Sequence, residues 1–321
     1  MLRLCVCLLL FTAGAWGDSL ERGVHGYGLT VMEGTRIDTF GVEILGWERN
    51  GALPGRDQIL VRLAGLGLEE TGVPGGMSGS PVYVEDRLVG AVAWGWSFAN
   101  EPICLVTPID QMLELWQRDL SGTPPQETTP PPASGPGWRR LRSPLWVSGA
   151  GPVTLSLLTE LLAPLGFEPL SGTVGDSGGD MTPVPVQPGS AIGVRLIGGD
   201  LNIASIGTVT HVEGDRVLAF GHNMVGNGAI DVPFTAARIY GIMASEYVSF
   251  KLGSTMAVVG AARQDRFAGV AGLTSDRART LPMVVEVQTA TGIHHFDFEL
   301  ARHRFYTTRL AQVSLMGSLE S

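Results

Sequence analysis

The chain has few charged residues, few cysteines and no long hydrophobic run, and each shortage excludes a class of protein. Only 17% of its 321 residues are charged, the net charge is −9, and its basic cluster, Arg139-Arg140-Leu141-Arg142, is short. Nucleic-acid binding depends on many cations that neutralise phosphates, so we expect no nucleic-acid partner. After residue 17 no stretch approaches 18 consecutive apolar residues, so we expect no membrane span in the mature chain.

Cysteine and histidine are too sparse to suggest a metal centre. Cys5 and Cys7 lie near the N-terminus, which leaves Cys104 in an apolar run where a buried thiol is expected. A single cysteine forms neither an internal disulfide nor a zinc cluster. The adjacent pair His294-His295 would alternate between the two faces of a strand and lacks a clear third ligand. We therefore expect no metal and no cofactor.

The first 17 residues have the pattern of a signal peptide. Arg3 supplies a positive charge, residues 4–13 form a short apolar run, and Ala15-Trp16-Gly17 places small residues at a cleavage site. The alternative is an uncleaved anchor, but the run is short for a bilayer span. We therefore expect an exported protein, located in the periplasm, at the cell surface or outside the cell.

Glycine and proline are abundant, with 44 and 20 residues, while 44% of the chain is hydrophobic. This composition favours many short strands joined by turns, with enough apolar residues for a core. A helical pattern follows at 108–116, and another lies within 144–170. The predicted organisation is a signal peptide (1–17), a Ser-bearing β module (18–118), a Pro-rich linker (119–143), a helical and spacer segment (144–187), a His-bearing β module (188–292) and a C-terminal segment (293–321).

The most informative motif is Gly75-Gly76-Met77-Ser78-Gly79-Ser80-Pro81. Glycines on both sides of Ser78 permit a sharp turn with positive φ. Such a turn could direct the N–H groups of Gly76 and Ser78 into one oxyanion pocket beside a serine nucleophile. The alternative is an ordinary turn between strands. An α/β-hydrolase elbow is excluded because position 80 is serine and the next segment resembles a strand.

A second serine and a histidine complete the set of candidates. The string Gly175-Asp176-Ser177-Gly178-Gly179-Asp180 matches the trypsin nucleophile string more closely, but Asp180 replaces its proline and no strand follows. A spacer explains Ser177 better. His222 stands at a turn directly after the strand-like residues 217–220, where a rigid scaffold can present an imidazole. The alternative for His222 is a hydrogen-bonded structural histidine.

Three segments resemble the SpoIVB-type serine peptidase family, and they are spread over roughly two thirds of the chain, from residue 40 to residue 269. They are residues 40–113 with Gly76-Met77-Ser78-Gly79-Ser80-Pro81, residues 207–222 with Ala219-Phe220-Gly221-His222, and residues 249–269. The resemblance implies a mainly β chain with a trypsin-like double β-barrel and a few short helices. It also implies that Ser78 is the nucleophile and His222 the general base, between the barrels.

Three departures from the family are visible. Ser78 precedes His222, whereas in the family the histidine comes first, so the two modules are expected to be circularly permuted. The acidic position of the family falls on Leu63 here, which leaves Asp231, with Asp57 as another choice, for the third catalytic residue. No segment resembles the PDZ domain that usually accompanies the family.

The sequence therefore predicts an exported serine peptidase, an endopeptidase or an autoprocessing enzyme, that acts on a protein or peptide substrate. The first alternative is a catalytically inactive, peptidase-like binding or scaffold module, favoured by the missing acid. A second alternative is a carbohydrate-binding β domain that would use Trp94 and Trp96.

Overall fold

The structure is a computed structural model that describes residues 20–96, 98–121, 139–140, 145–162, 167, 169–171, 183–226, 228–303 and 306–321. Strands dominate and the helices are short, which confirms the prediction of a mainly β chain with few short helices. The predicted signal peptide, most of the Pro-rich linker and the string around Ser177 lie outside the described residues. Within the described part of the chain, no helix is long and apolar enough to cross a membrane.

The first of two sheets closes into a six-stranded barrel. The sheet consists of β1 (His25–Val31), β2 (Ile37–Leu53), β3 (Arg56–Ala64), β4 (Pro81–Val84), β5 (Arg87–Gly95), β6 (Ile103–Pro108) and β7 (Arg139–Arg140). The order β4-β1-β2-β3-β6-β5 closes because β5 also pairs with β4, and β7 extends β5 outside the ring. Alternate residues of β2 and β3, among them Phe40, Val42 and Leu63, fill the interior.

The second sheet has ten strands. They are β8 (Leu145–Ser148), β9 (Pro169–Ser171), β10 (Ala191–Gly199), β11 (Asn202–Glu213), β12 (Arg216–Ala219), β13 (Gly228–Met243), β14 (Phe250–Arg266), β15 (Gly269–Leu273), β16 (Thr280–Thr289) and β17 (Gly292–Ala301). Because β10 pairs with both β11 and β13, the strands β10-β13-β14-β15-β12-β11 form a ring of pairings. The remaining four strands extend the sheet beyond this ring.

The second sheet extends past the limits predicted for the His-bearing module. Strands β8 and β9 come from segment 144–187, and nearly all of β17 comes from the C-terminal segment 293–321. The side chains of Leu145, Trp146 and Val147 are buried, so this segment adds apolar area to the core by pairing with β11. The second sheet therefore continues on both sides of residues 188–292.

Four short helices cover the sheets. They are α1 (Leu68–Thr71), α2 (Ile109–Leu113), α3 (Pro152–Leu162) and α4 (Thr307–Glu320). The helical pattern predicted for 108–116 becomes α2 followed by a 3-10 turn at Glu114–Gln117. The pattern predicted within 144–170 becomes α3, which buries Leu158 and Leu162 against the second sheet.

The two sheets pack against each other through shared apolar clusters. In one cluster, Ala91 and Met112 from the first half contact Leu218 and Ala271 from the second. In another, Val31 packs with residues of β8, β11 and β13. This contact surface holds both loops that carry the predicted catalytic residues.

Candidate active site between the two sheets

Ser78 lies in a tight turn between α1 and β4. Gly76 and Gly79 have φ values of 95° and 92°, which is the left-handed backbone that the glycine pattern predicts. The side chain of Met77 is fully buried in the first barrel. The N–H of Gly79 donates to Val92 O at 2.7 Å, so strand β5 anchors the turn. We call residues 75–80 the serine loop.

The second sheet holds the serine loop from its other side. The N–H of Thr208 donates to Ser78 O at 2.8 Å, and the Thr208 hydroxyl donates to Gly76 O at 3.1 Å. The Thr210 hydroxyl donates to Gly79 O at 2.8 Å. At the start of the loop, Gly75 pairs with β14 as an isolated parallel bridge to Phe250. The loop therefore belongs to the first barrel by sequence and to both sheets by hydrogen bonding.

His222 follows β12 through two left-handed residues, Phe220 (φ 69°) and Gly221 (φ 64°). A left-handed phenylalanine costs about 1–2 kcal/mol, and here its fully buried ring packs in the core of the second sheet. His222 Nδ1 lies 2.7 Å from the carbonyl oxygen of Asn223. Because a carbonyl only accepts hydrogen bonds, Nδ1 carries the proton and Nε2 is the basic nitrogen. We call residues 221–226 the histidine loop.

The serine loop is in backbone contact with the residue that leads into the histidine loop, and the histidine loop is in contact with β5. A Cβ atom at position 79 would overlap the carbonyl oxygen of Thr208 and the backbone nitrogen of Phe220. A Cβ atom at position 221 would lie 3.2 Å from the Cβ atoms of Ala91 and Ala93 on β5. Only glycine fits at either point. The structure thus brings together the two segments that the sequence separates by more than one hundred residues.

In the described structure, one of the two predicted oxyanion donors makes no hydrogen bond within the chain. Among the described residues, no group accepts a hydrogen bond from the N–H of Gly76. The other predicted donor, the N–H of Ser78, belongs to the same turn. The geometry of the turn is therefore compatible with an oxyanion pocket on this loop.

Neither aspartate predicted as the third catalytic residue contacts His222. Asp231 on β13 is buried, and its carboxylate accepts hydrogen bonds from Arg263 and Arg279. Asp57 accepts a hydrogen bond from Arg49 Nη1 at 2.7 Å. This bond is the largest of the effects that lower the pKa of the Asp57 carboxyl group. Leu63, at the family's acidic position, lies in the core of the first barrel. The assignment of Asp231 or Asp57 to a triad is therefore not supported by the geometry.

The carboxylate that serves the histidine loop is Asp265, which sequence reasoning missed. It lies near the end of β14, is 2% exposed, and accepts hydrogen bonds from three consecutive backbone N–H groups. These belong to Met224 at 2.7 Å, Val225 at 2.9 Å and Gly226 at 2.8 Å. The polar run Arg263-Gln264-Asp265-Arg266 at the end of β14 is the feature that could have drawn attention to it, because charged side chains are seldom buried without partners.

A second missed group, Lys251, lies behind the serine loop. Its side chain is 1% exposed, and Nζ donates to Thr30 Oγ1 at 2.6 Å. Thr30 Oγ1 also accepts from Ser80 Oγ at 3.0 Å. Burial lowers the pKa of Lys251 to about 7, with a partial opposite effect of the Asp38 carboxylate. A lysine that titrates near neutral pH therefore adjoins the loop.

The structure also places residues of the sugar-binding and metal alternatives. Trp94, one of the two tryptophans of the carbohydrate-binding alternative, is 1% exposed and stacks on Phe267 with ring centroids 5.3 Å apart, so it offers no surface to a sugar. His295 pairs with Glu286 at 3.2 Å on an exposed face. In the described part of the chain, no three His, Cys, Asp or Glu side chains are grouped as a metal site requires.

The site is enclosed. Ser78 has no exposed surface and His222 is 1% exposed. The ring of Trp94 lies 5.8 Å from the imidazole and the ring of Phe220 lies 6.5 Å from it. A substrate can reach Ser78 only if part of this wall moves.

Comparison with family models, with curated proteins and with solved structures finds no match to the chain.

Proposed function

We propose that the protein is an exported serine peptidase in which Ser78 and His222 act together on a protein or peptide substrate. The observation that carries the proposal is the docking of the serine loop on the second sheet, directly against the residues that lead into His222. Export rests on the pattern of residues 1–17 alone.

The mechanism follows from the tautomer of His222. Nε2 takes the proton of Ser78 Oγ while Oγ forms a bond to the carbonyl carbon of the peptide. The N–H groups of Gly76 and Ser78 stabilise the negative charge on the carbonyl oxygen. When the C–N bond breaks, the imidazolium returns the proton to the leaving amine, and a water molecule then releases the acyl group by the same steps. No cofactor takes part in this reaction.

The arrangement of strands supports the finer fold proposal. The six-stranded barrel of the first sheet and the six-membered ring of pairings in the second sheet meet at the candidate site. Two barrels with a Ser–His site between them are the trypsin-like arrangement that the family resemblance implies. Because Ser78 precedes His222 along the chain, the modules would be circularly permuted. Permutation preserves such a site when the connection is long enough.

A catalytically inactive, peptidase-like scaffold is the second candidate, and a specific observation favours it. Both catalytic residues are enclosed, and the histidine is oriented by a backbone carbonyl where a triad has a carboxylate. A carbonyl stabilises the imidazolium less than a carboxylate does. A scaffold would keep this packing for stability and would react with no substrate.

A fluorophosphonate probe on the purified protein tests the proposal. The wild-type protein should be labelled slowly, since the site must open, and Ser78→Ala should abolish labelling. His222→Ala should remove most of the labelling, because the serine then lacks its base. Ser205→Ala changes another fully buried serine, which lies in the second sheet, and this variant should be labelled like the wild type. Labelling that survives in Ser78→Ala, or a folded wild-type protein that is never labelled, contradicts the proposal.

A further inference from the structure

Asp265 is connected to His222 through one peptide group and two hydrogen bonds. His222 Nδ1 donates to the carbonyl oxygen of Asn223 at 2.7 Å. The carbonyl carbon of Asn223 is bonded to the nitrogen of Met224, and the N–H of Met224 donates to Asp265 Oδ1 at 2.7 Å. A single peptide group therefore stands between the imidazole and the carboxylate, with one hydrogen bond on each side.

This arrangement couples the two groups electronically. A peptide group is polarised when a carboxylate accepts its N–H, and the polarisation places more negative charge on its carbonyl oxygen. That oxygen is the acceptor of the imidazole Nδ1–H, so the bond that orients His222 becomes stronger. The same polarisation stabilises the imidazolium that forms when Nε2 takes a proton.

We propose that Asp265 is the acidic partner of His222 and acts on the imidazole through the peptide group between Asn223 and Met224. It is a positioning residue, because it acts on the imidazole through this peptide. The inference rests on the proposed role of His222 as general base.

The other two bonds of Asp265 fix the register of the histidine loop. Val225 and Gly226 donate to Oδ2 at 2.9 Å and 2.8 Å, so the carboxylate cannot turn away from Met224 without breaking bonds. Arg266 is the cation that follows Asp265 in the chain, and its Nε donates a hydrogen bond to Gln264 Oε1 at 2.8 Å. The rings of Trp94 and Phe220 that flank His222 are uncharged.

A purely structural role would give a different result from this coupling. A carboxylate that only closes the loop would affect the stability of the fold and leave the titration of the imidazole unchanged. A carboxylate coupled through the peptide makes Nε2 more basic and retains the proton on Nδ1. The distinguishing quantities are therefore the tautomer and the pH midpoint of His222.

The experiment compares Asp265→Asn and Asp265→Glu with the wild-type chain. Imidazole ¹⁵N signals of His222, assigned with His222→Gln, give its tautomer and its pH midpoint, and fluorophosphonate labelling gives the rate. In Asp265→Asn we expect a midpoint lower by at least about half a unit and labelling about 10- to 100-fold slower. Asp265→Glu keeps the charge and should retain more of both. Asp200→Asn, which removes a carboxylate from another backbone N–H at the β10–β11 turn, should change neither quantity.

Every outcome decides the question. A folded Asp265→Asn protein with the wild-type midpoint and rate overturns the proposal, as does an equal shift in Asp200→Asn. If Asp265→Asn does not fold, the wild-type spectrum decides, because an Nδ1 atom without a proton contradicts the hydrogen bond to Asn223. If the wild-type protein is never labelled but the midpoint falls in Asp265→Asn, the coupling stands and the proposed peptidase function fails.

Discussion

The serine loop and the histidine loop meet in one site, but different kinds of group hold them. The serine loop is fixed by uncharged donors, the Thr208 and Thr210 hydroxyls and backbone N–H groups. The histidine loop is fixed by a carboxylate that accepts three backbone N–H groups. On the serine side, Lys251 lies behind the loop and donates to a hydroxyl.

This difference separates two roles. Some contacts only hold a loop in place, which we call support, and others also change the proton affinity of a side chain, which we call tuning. Hydroxyl donors satisfy buried carbonyl groups without adding a charge, so the backbone of the serine loop keeps its shape over a wide pH range. A buried carboxylate beside the histidine loop influences the proton affinity of the imidazole as well as its position. In both loops the anchoring side chains come from the second sheet, so that sheet assembles a site whose proposed nucleophile comes from the first barrel.

Breaking the contact of the serine loop with the second sheet, next to the histidine loop, should have the largest effect. Gly79→Ala places a methyl group on the Thr208 carbonyl and the Phe220 nitrogen, at a residue with φ of 92°. We expect the free energy of unfolding to fall by about 2–5 kcal/mol and labelling to be lost. Gly55→Ala has a similar φ of 76° but open space around it, so it isolates the backbone cost of about 1–2 kcal/mol. Equal losses in the two variants in chemical denaturation would show that the contact is not tight.

The pH dependence of stability tests whether Lys251, behind the serine loop, is charged in the folded protein. Its pKa is about 7 in the folded protein and 10.5 as a free side chain. Between these values the unfolded chain binds the proton that the folded chain releases, so stability rises with pH from 7 upward. The slope should reach about 1.4 kcal/mol per pH unit.

Lys251→Met keeps most of the side-chain volume and removes the amine, so this contribution to the slope should disappear. Urea unfolding at pH 7, 8 and 9 gives the slope for both proteins. The same slope in wild type and variant would mean that the amine stays protonated in the folded state.

The hydroxyl anchors can be tested one at a time. Thr210→Val keeps the shape of the side chain but leaves the buried carbonyl of Gly79 without its donor. The expected loss of stability is about 1–3 kcal/mol, without a change in the pH midpoint of labelling. Thr289→Val removes an exposed turn hydroxyl and should cost less than about 0.5 kcal/mol. A shifted midpoint in Thr210→Val would contradict the division between support and tuning.

The smallest effect concerns the closed first barrel. Cys104 is fully buried on β6, and burial raises the pKa of its thiol far above the ordinary value. In a chain with Cys5 and Cys7 replaced by serine, a thiol reagent should leave the folded protein unmodified and react at once after denaturation. Rapid reaction in the folded state would show that the barrel opens more readily than the site.

Local features of the fold were predictable because they depend on neighbouring residues. The alternation of apolar residues gives β2 and β3 their buried faces, and the glycines around Ser78 adopt the left-handed backbone that their pattern predicts. The helical pattern after residue 108 becomes α2 for the same reason. The roles of Ser78 and His222 stay predictions.

The acid could not be found in this way. Asp265 and the N–H groups that it accepts are separated by 39 to 41 residues, and no local pattern links them. The carboxylate of Asp231, the acid chosen from the sequence, is bound by Arg263 on the adjacent strand and by Arg279. Arginine partners on other strands are invisible in the immediate sequence.

The amino-acid sequence alone therefore accounts for the strand-rich chain, for the short helices and for the turn around Ser78. These follow from steric limits on each residue and from the alternation of side chains along a strand. The contact of the serine loop with the second sheet, the enclosure of Ser78, the lowered pKa of Lys251 and the place of Asp265 follow from the packing of two sheets. Desolvation and hydrogen bonding depend on which distant residues become neighbours, and only the folded chain sets those neighbours.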